Sequence, residues 1–236
     1  MSGFSNALRE GAARMGVELD ALALERMEAF HRLLAEKNEH MNLTAVTQDA
    51  EALDRHYLDS LAALKFGWLR GEERLADVGT GAGFPGMPLL IARPGLRLTF
   101  VDSLEKRLAF LREALERLGL QAQCVHLRAE DFGRSPEHRQ AYDLATARAV
   151  APLPVLMEYL LPCLRLGGVA LCWKGPGVEQ ERAEKAAALL GGGQVRLYPY
   201  EIPGRDWGHL LVRVEKRGKT PEKYPRKAGL PSKKPL

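Results

Sequence analysis

The chain has 236 residues, 46% of them hydrophobic and 27% charged, which is enough apolar material for one α/β domain with an extension. Its opening, MSGFSNALREGAARMG, is interrupted by Arg9, Glu10 and Arg14 and has no apolar run of signal-peptide length. The most apolar window, 144–164, holds Arg148, Glu158 and three prolines, so it reads as strand, turn and buried helix rather than a membrane span. A cytoplasmic protein without membrane contact is expected. Three widely spaced cysteines, Cys124, Cys163 and Cys172, fit neither a disulfide framework nor a zinc site. No metal is expected.

The net charge of +4 is unevenly placed. Residues 216–236 carry eight Lys/Arg against Glu222 alone, so the other 215 residues sum to −3. A basic arm on a mildly acidic body is an electrostatic footprint for polyanions such as RNA. A disordered solubilising terminus is the bland alternative.

In chain order, residues ~18–40 show helical spacing of Leu19, Leu22, Met27, Phe30 and Leu34, with Asp20 as cap. A second helix fits ~48–66, where Leu53, His56, Tyr57, Ser60, Leu61 and Leu64 share one stripe and Thr47 is the predicted N-cap. From Arg74 onward short apolar runs alternate with helical stretches. Strands are predicted at 75–78, 96–102, 122–127, 142–147 and 169–174, and helices near 85–92, 104–118, 152–164 and 178–190. This alternation predicts a parallel sheet covered on both faces. The rhythm then breaks: 194–202 and 209–216 are two strands with only a short Pro-Gly-containing link, and they are expected to pair as an antiparallel hairpin. The expected fold is therefore α/β, a Rossmann-like, mostly parallel seven-stranded sheet ending in an antiparallel hairpin. This is the outline of class I methyltransferases that use S-adenosylmethionine (SAM). The predicted divisions are a helical extension at 1–70, a SAM-binding core at 71–216 and a basic tail at 217–236.

The strongest local signal is Leu75-Ala-Asp-Val-Gly-Thr-Gly-Ala-Gly-Phe-Pro-Gly86, between a strand and a helix. Glycines there let backbone N–H groups approach a ligand. Gly81, Gly83 and Gly86 fit the dinucleotide spacing, while Asp77 followed by Gly79, Gly81 and Gly83 fits the SAM turn equally well. Spacing alone leaves both open; the terminal hairpin and the lack of a second domain favour SAM. Asp102 ends the second strand, where a carboxylate can accept from a ribose diol, and Ala129-Glu130 follows the third, where an acid can meet an adenine amino group.

DVGTGAGFPG, VDSLEKRLAFL (101–111), ATARAVAPL (145–153), RHYLDSL (55–61), NLT (42–44) and the tail KYPRKAGLPSKKPL (223–236) together resemble the bacterial small-subunit rRNA guanine-N7 methyltransferases, the glucose-inhibited division protein B family. The resemblance runs from about residue 30 to the C-terminus. It implies methylation of N7 on one guanine of 16S rRNA, the base conventionally numbered 527, with 16S rRNA or the small ribosomal subunit as partner. It also implies SAM contacts at Gly79, Phe84, Asp102, Ser103, Leu104, Ala129, Glu130 and Arg148, to which the glycine turn adds Gly81.

Guanine N7 carries an in-plane lone pair, so no general base is required and catalysis is mainly positioning. Arg148 and Lys174 are the positioning candidates. Pro162-Cys163 lies inside an apolar helix and reads as a buried structural thiol, and His56, Asp59 and Ser60 share one helix without a nucleophile elbow. Lys223, Arg226, Lys227, Lys233 and Lys234 are the expected RNA contacts. Removing the tail is expected to flatten the salt dependence of RNA binding and leave SAM binding intact. A monomer is expected, since no apolar stripe is left over. The alternatives are a nicotinamide-dependent oxidoreductase and an inactive RNA-binding assembly factor of the same fold.

Overall fold

A computed structural model of the chain describes residues 2–46 and 48–236. Its strands are β1 (Arg74–Val78), β2 (Arg97–Asp102), β3 (Gln123–His126), β4 (Tyr142–Arg148), β5 (Leu164–Lys174), β6 (Arg196–Tyr200) and β7 (His209–Glu215). They form one sheet in the order β3-β2-β1-β4-β5-β7-β6. The first five run parallel, and β7 enters antiparallel between β5 and β6. The parallel sheet with a closing hairpin is thus the predicted one. The fifth strand begins earlier than expected, because Leu164 already pairs with Tyr142 before a register irregularity.

The helices are α1 (Gly3–Arg14), α2 (Ala21–Met41), α3 (Asp49–Ala52), α4 (Asp59–Leu61), α5 (Gly86–Ala92), α6 (Glu105–Leu118), α7 (Ala129–Arg134), α8 (Leu153–Leu160), α9 (Glu184–Leu189) and α10 (Leu230–Lys233). A π-helical turn, Leu53–Leu58, joins α3 to α4, and a 3-10 turn, Ala62–Phe66, follows. The predicted helix over 48–66 is therefore one segment with a π turn inside it. That turn adds a residue per hydrogen-bonded ring, and Asp54, Leu58 and Asp59 are buried alongside the predicted stripe of Tyr57, Ser60, Leu61 and Leu64. The cap predicted at Thr47 lies outside the described residues. Asp20 caps α2 as predicted, accepting from Ala23 N–H at 2.7 Å. The helix predicted at 178–190 breaks at Arg182, whose φ is 43°.

Alternate residues of each strand face opposite sides. Leu75, Leu98, Phe100, Leu171 and Leu211 join a core with Leu8, Ala12, Met27 and Phe30 of α1 and α2 and with Leu89, Phe110 and Leu111 of α5 and α6. The N-terminal helices thus share a core with the sheet. The first, α1, is absent from the sequence reading because its buried stripe is made of small residues, Ser5, Gly11 and Ala12, around Leu8. On the other face Ala76, Val78, Val101, Ala145 and Cys172 pack against α8 and α9. Among the described residues, no helix is long and apolar enough to cross a membrane.

The tail departs from expectation. It is not an exposed arm but runs back over this second face. Lys216, counted above among the basic residues, is fully buried, with Nζ donating to the carbonyls of Leu161 (2.7 Å) and Leu190 (3.0 Å) and to Thr220. Burial lowers its pKa to about 8. Arg226, expected to meet RNA phosphate, is instead paired with the buried Glu158, donating from Nη2 at 2.6 Å and from Nε at 2.9 and 3.1 Å. A carboxylate buried within α8 is costly unless its oxygens are satisfied, and Arg226 supplies both a charge and hydrogen bonds to Glu158. Lys223, Lys227, Lys233 and Lys234 stay exposed. Truncating Arg226 to alanine should therefore destabilise the fold by about 3 kcal/mol in urea unfolding, where a loose tail would give a change below about 0.5 kcal/mol.

Candidate active site

The site begins beneath the glycine turn. Asp77, at 0% exposure, accepts from Thr80 Oγ1 (2.6 Å) and Gly86 N–H (3.1 Å) with one oxygen and from Thr146 Oγ1 (2.9 Å) with the other. Burial pushes its pKa up, against the pull of those three donors. A Cβ at Gly86 would come within 2.7 Å of both this carboxylate and the Phe100 ring, so only glycine fits there. Above, the N–H groups of Gly79 and Thr80 both donate to Val101 O on β2, at 2.8 and 3.2 Å. Gly79 has φ 72°, and a Cβ there would strike Val150 at 2.7 Å.

Asp102 closes the turn from the side. One oxygen accepts from Gly81 N–H (3.0 Å) and Arg107 (3.2 Å), the other from Leu104 N–H (2.9 Å). Gly79, Asp102, Ser103, Ala129, Glu130 and Val150 line one groove of about 320 Å³ at the C-terminal ends of β1–β3, where ligands of open α/β sheets bind. Of the residues predicted from sequence, this groove gathers Gly79, Asp102, Ser103, Ala129 and Glu130. Gly81 and Leu104 adjoin it through their bonds to Asp102.

Three other candidates lie elsewhere. Phe84 is buried, its ring stacked on His56 at 4.5 Å and lying 5.2 Å from the Arg148 guanidinium. Arg148 and Lys174 line a second cavity of about 390 Å³. The two cavities meet at Ala149, which lines both and holds φ 56°. A left-handed alanine carries strain that is found preferentially at functional sites.

The second cavity is organised by Asp59. Its carboxylate accepts from Arg148 (2.7 Å), His209 (2.9 Å) and Tyr200 (2.5 Å), and its carbonyl from Trp173 Nε1 (2.7 Å). Burial opposes the charge, but His209, Arg148 and Tyr200 outweigh it and hold the pKa below the usual carboxylate value. Arg148 also donates to Arg55 O at 2.7 Å. Lys174 bridges Ala151 O (3.2 Å) and Glu181 (2.7 Å), and Glu181 in turn accepts from Leu153 N–H at the start of α8. His56 is held neutral, its pKa lowered to about 4 by burial and by Arg148. Cys163 is fully buried and burial pushes its thiol up to about 12, which excludes a thiolate nucleophile at neutral pH.

Sequence reasoning missed Tyr159, Gly229 and Ser232, which also line the first groove. Tyr159 lies among the apolar residues of α8 and carries no motif. Gly229 and Ser232 lie in the tail, about a hundred residues beyond the strand ends they adjoin.

A groove at the strand ends of a seven-stranded sheet closed by an antiparallel hairpin defines a class I methyltransferase fold. The solved structure of a predicted O-methyltransferase from Agrobacterium tumefaciens superposes with a TM-score of 0.55 at 19% identity, covering 70% of this chain and 81% of the other. The YcgJ protein of Bacillus subtilis superposes at 0.51 with 14% identity, covering 69% and 100%. Residues 23–198 match the family model described as GidB, rRNA small subunit methyltransferase G. The ribosomal RNA small subunit methyltransferase G of Pelotomaculum thermopropionicum is 45% identical over 239 residues and 100% of both chains, and that of Alkaliphilus oremlandii is 45% identical over 97% of both. The chain belongs to the rRNA small subunit methyltransferase G family. The nicotinamide alternative has no relative in its favour among these.

The neutral His56 makes a pH signature. Its pKa is about 4 in the fold and near 6.5 when unfolded. The unfolded chain thus binds more protons between those values, and the stability present above pH 6.5 is lost as pH falls toward 4, by up to about 3 kcal/mol. His56→Phe should remove that part of the acid slope in urea titrations. A residual slope remains from His138, whose pKa burial also lowers.

Proposed function

We propose that this chain methylates N7 of a single guanine in 16S rRNA with SAM as donor, acting on the base of the 527 type that its sequence resemblance implies. The observation that carries the reading is the meeting of two cavities at Ala149, one lined by Gly79, Asp102 and Glu130 and the other by Arg148 and Lys174. A methyl transfer needs a donor and an acceptor base in adjoining compartments.

The residues present fit SAM. Gly79 leaves bare backbone where any Cβ would strike Val150. Asp102 offers a carboxylate to a ribose diol, and Glu130 offers one to an adenine amino group. When bound, SAM supplies an electrophilic methyl group, which the N7 lone pair can attack without prior loss of a proton. The protein's part is positioning. Asp59 fixes Arg148 in the second cavity, one residue before the shared Ala149, and the Phe84 ring underlies it. In that place a planar guanidinium orients either the amino-acid end of the donor or the guanine. Lys174, held by Glu181, presents a second cation on the same cavity. The exposed lysines of the docked tail, Lys223, Lys227, Lys233 and Lys234, are the contacts proposed for rRNA phosphates.

Transfer of labelled methyl from SAM to 16S rRNA, with the modified nucleotide mapped, tests the reading. Label on one guanine N7 is the expected result; RNA binding without transfer would return the inactive assembly factor. Arg148→Lys keeps the charge beside Asp59 but loses the planar fork, and should slow single-turnover transfer about tenfold. Replacing Lys227, Lys233 and Lys234 together by alanine should lower the slope of log RNA affinity against log salt by about 2.

A further inference from the structure

We infer that the C-terminal segment 229–232 is a wall of the cofactor groove, closing it at its Glu130 end. The inference rests on the reading of that groove as a SAM site and assigns it residues from the far end of the chain.

Gly229 N–H donates to Glu130 Oε1 at 2.7 Å. Tyr159 O–H lies 3.4 Å from the same oxygen and 3.0 Å from Ser232 Oγ. Gly229, Ser232 and Tyr159 line the groove together with Asp102 and Glu130. The segment therefore does two things to Glu130, a buried carboxylate at 4% exposure. It satisfies one of its oxygens, and it blocks the approach of water from that side. It also brings a hydroxyl that can both donate and accept, which suits the purine edge of an adenosine.

The segment is held in place by contacts upstream and downstream of it. Before it, Arg226 is locked on Glu158, Tyr224 is buried, and Arg134 and Arg139 donate to the carbonyls of Pro225 (2.6 Å) and Tyr224 (2.8 Å). Pro225 packs so closely on α7 that a Cβ at Gly133 would lie 2.8 Å from it. After Gly229, which turns with φ 78°, Pro231 is buried. The contacts of Arg226 and its neighbours lie before Gly229, so the wall can be removed without releasing the docked tail. The inference thus opposes the expectation that loss of the tail spares SAM binding.

Calorimetric titration without RNA tests the inference on three proteins: the full chain, a chain ending at Ala228, and Ser232→Trp. The probes are SAM and 5′-methylthioadenosine, which keeps the nucleoside but lacks the amino-acid end. The shortened chain should bind both about tenfold more weakly, by the same factor, since the wall lies at the nucleoside end. Its ligand-free unfolding should stay cooperative, with a midpoint lowered only by the lost Gly229–Glu130 bond and the lost burial of Pro231. Unchanged affinity, or loss for SAM alone, overturns the inference while leaving the SAM reading standing. If the shortened chain does not fold, Ser232→Trp decides: an indole projected into the groove should weaken both ligands about tenfold, and unaltered affinity overturns the inference. Failure of the full chain to bind either probe sinks the SAM reading itself.

Discussion

The buried carboxylate of Asp77 is the constraint on which the site depends. It has no cation beside it within hydrogen-bonding distance among its described partners; three neutral donors hold it. Those donors are Thr80 of the glycine turn, Gly86 at the start of α5 and Thr146 on the neighbouring strand β4. One side chain therefore ties the turn to both the helix that follows it and the strand beside it. A buried carboxylate left with fewer donors would be costly, so the turn has little freedom to move. Gly79 and Gly81 inherit their positions from that restraint, and through Gly81 N–H so does the orientation of Asp102.

A second restraint governs the adjoining cavity. Asp59 is brought inward on the helical segment that contains the π turn, and there it gathers Arg148 from β4, Tyr200 from β6, His209 from β7 and Trp173 from β5. The N-terminal helices are thus more than a cover for the sheet. They supply the counter-charge that sets the guanidinium at the cavity wall. The hairpin strands contribute through the same carboxylate, which gives the antiparallel end of the sheet a role in the site as well as in closing an edge.

The tail is held on one face of the sheet, against α7 and α8. Its positive charge is divided between groups withdrawn into the fold, Lys216 and Arg226, and groups left exposed, Arg217, Lys219, Lys223, Lys227, Lys233 and Lys234. The buried cations fix the path of the chain, and that path brings Gly229 and Ser232 to the groove. A segment that reads as an appendage by composition is a structural part of the groove at the strand ends.

Local pattern was enough to determine the strand–helix alternation, the terminal hairpin, the glycine turn, the acid that ends β2 and the one that follows β3. Each of these is written in neighbouring residues: period-two and period-3.6 burial, glycines where the backbone must turn, a carboxylate at a strand end. What the sequence could not give is whatever depends on distant segments meeting. The Asp59 hub joins residues more than a hundred positions apart. The docking of the tail turns on Glu158, which in one dimension is only an acid inside an apolar helix. Net charge counts Arg226 and Lys216 as free cations, because charge is a property of composition, whereas their pairing and burial are decided by which surfaces the folded sheet brings together.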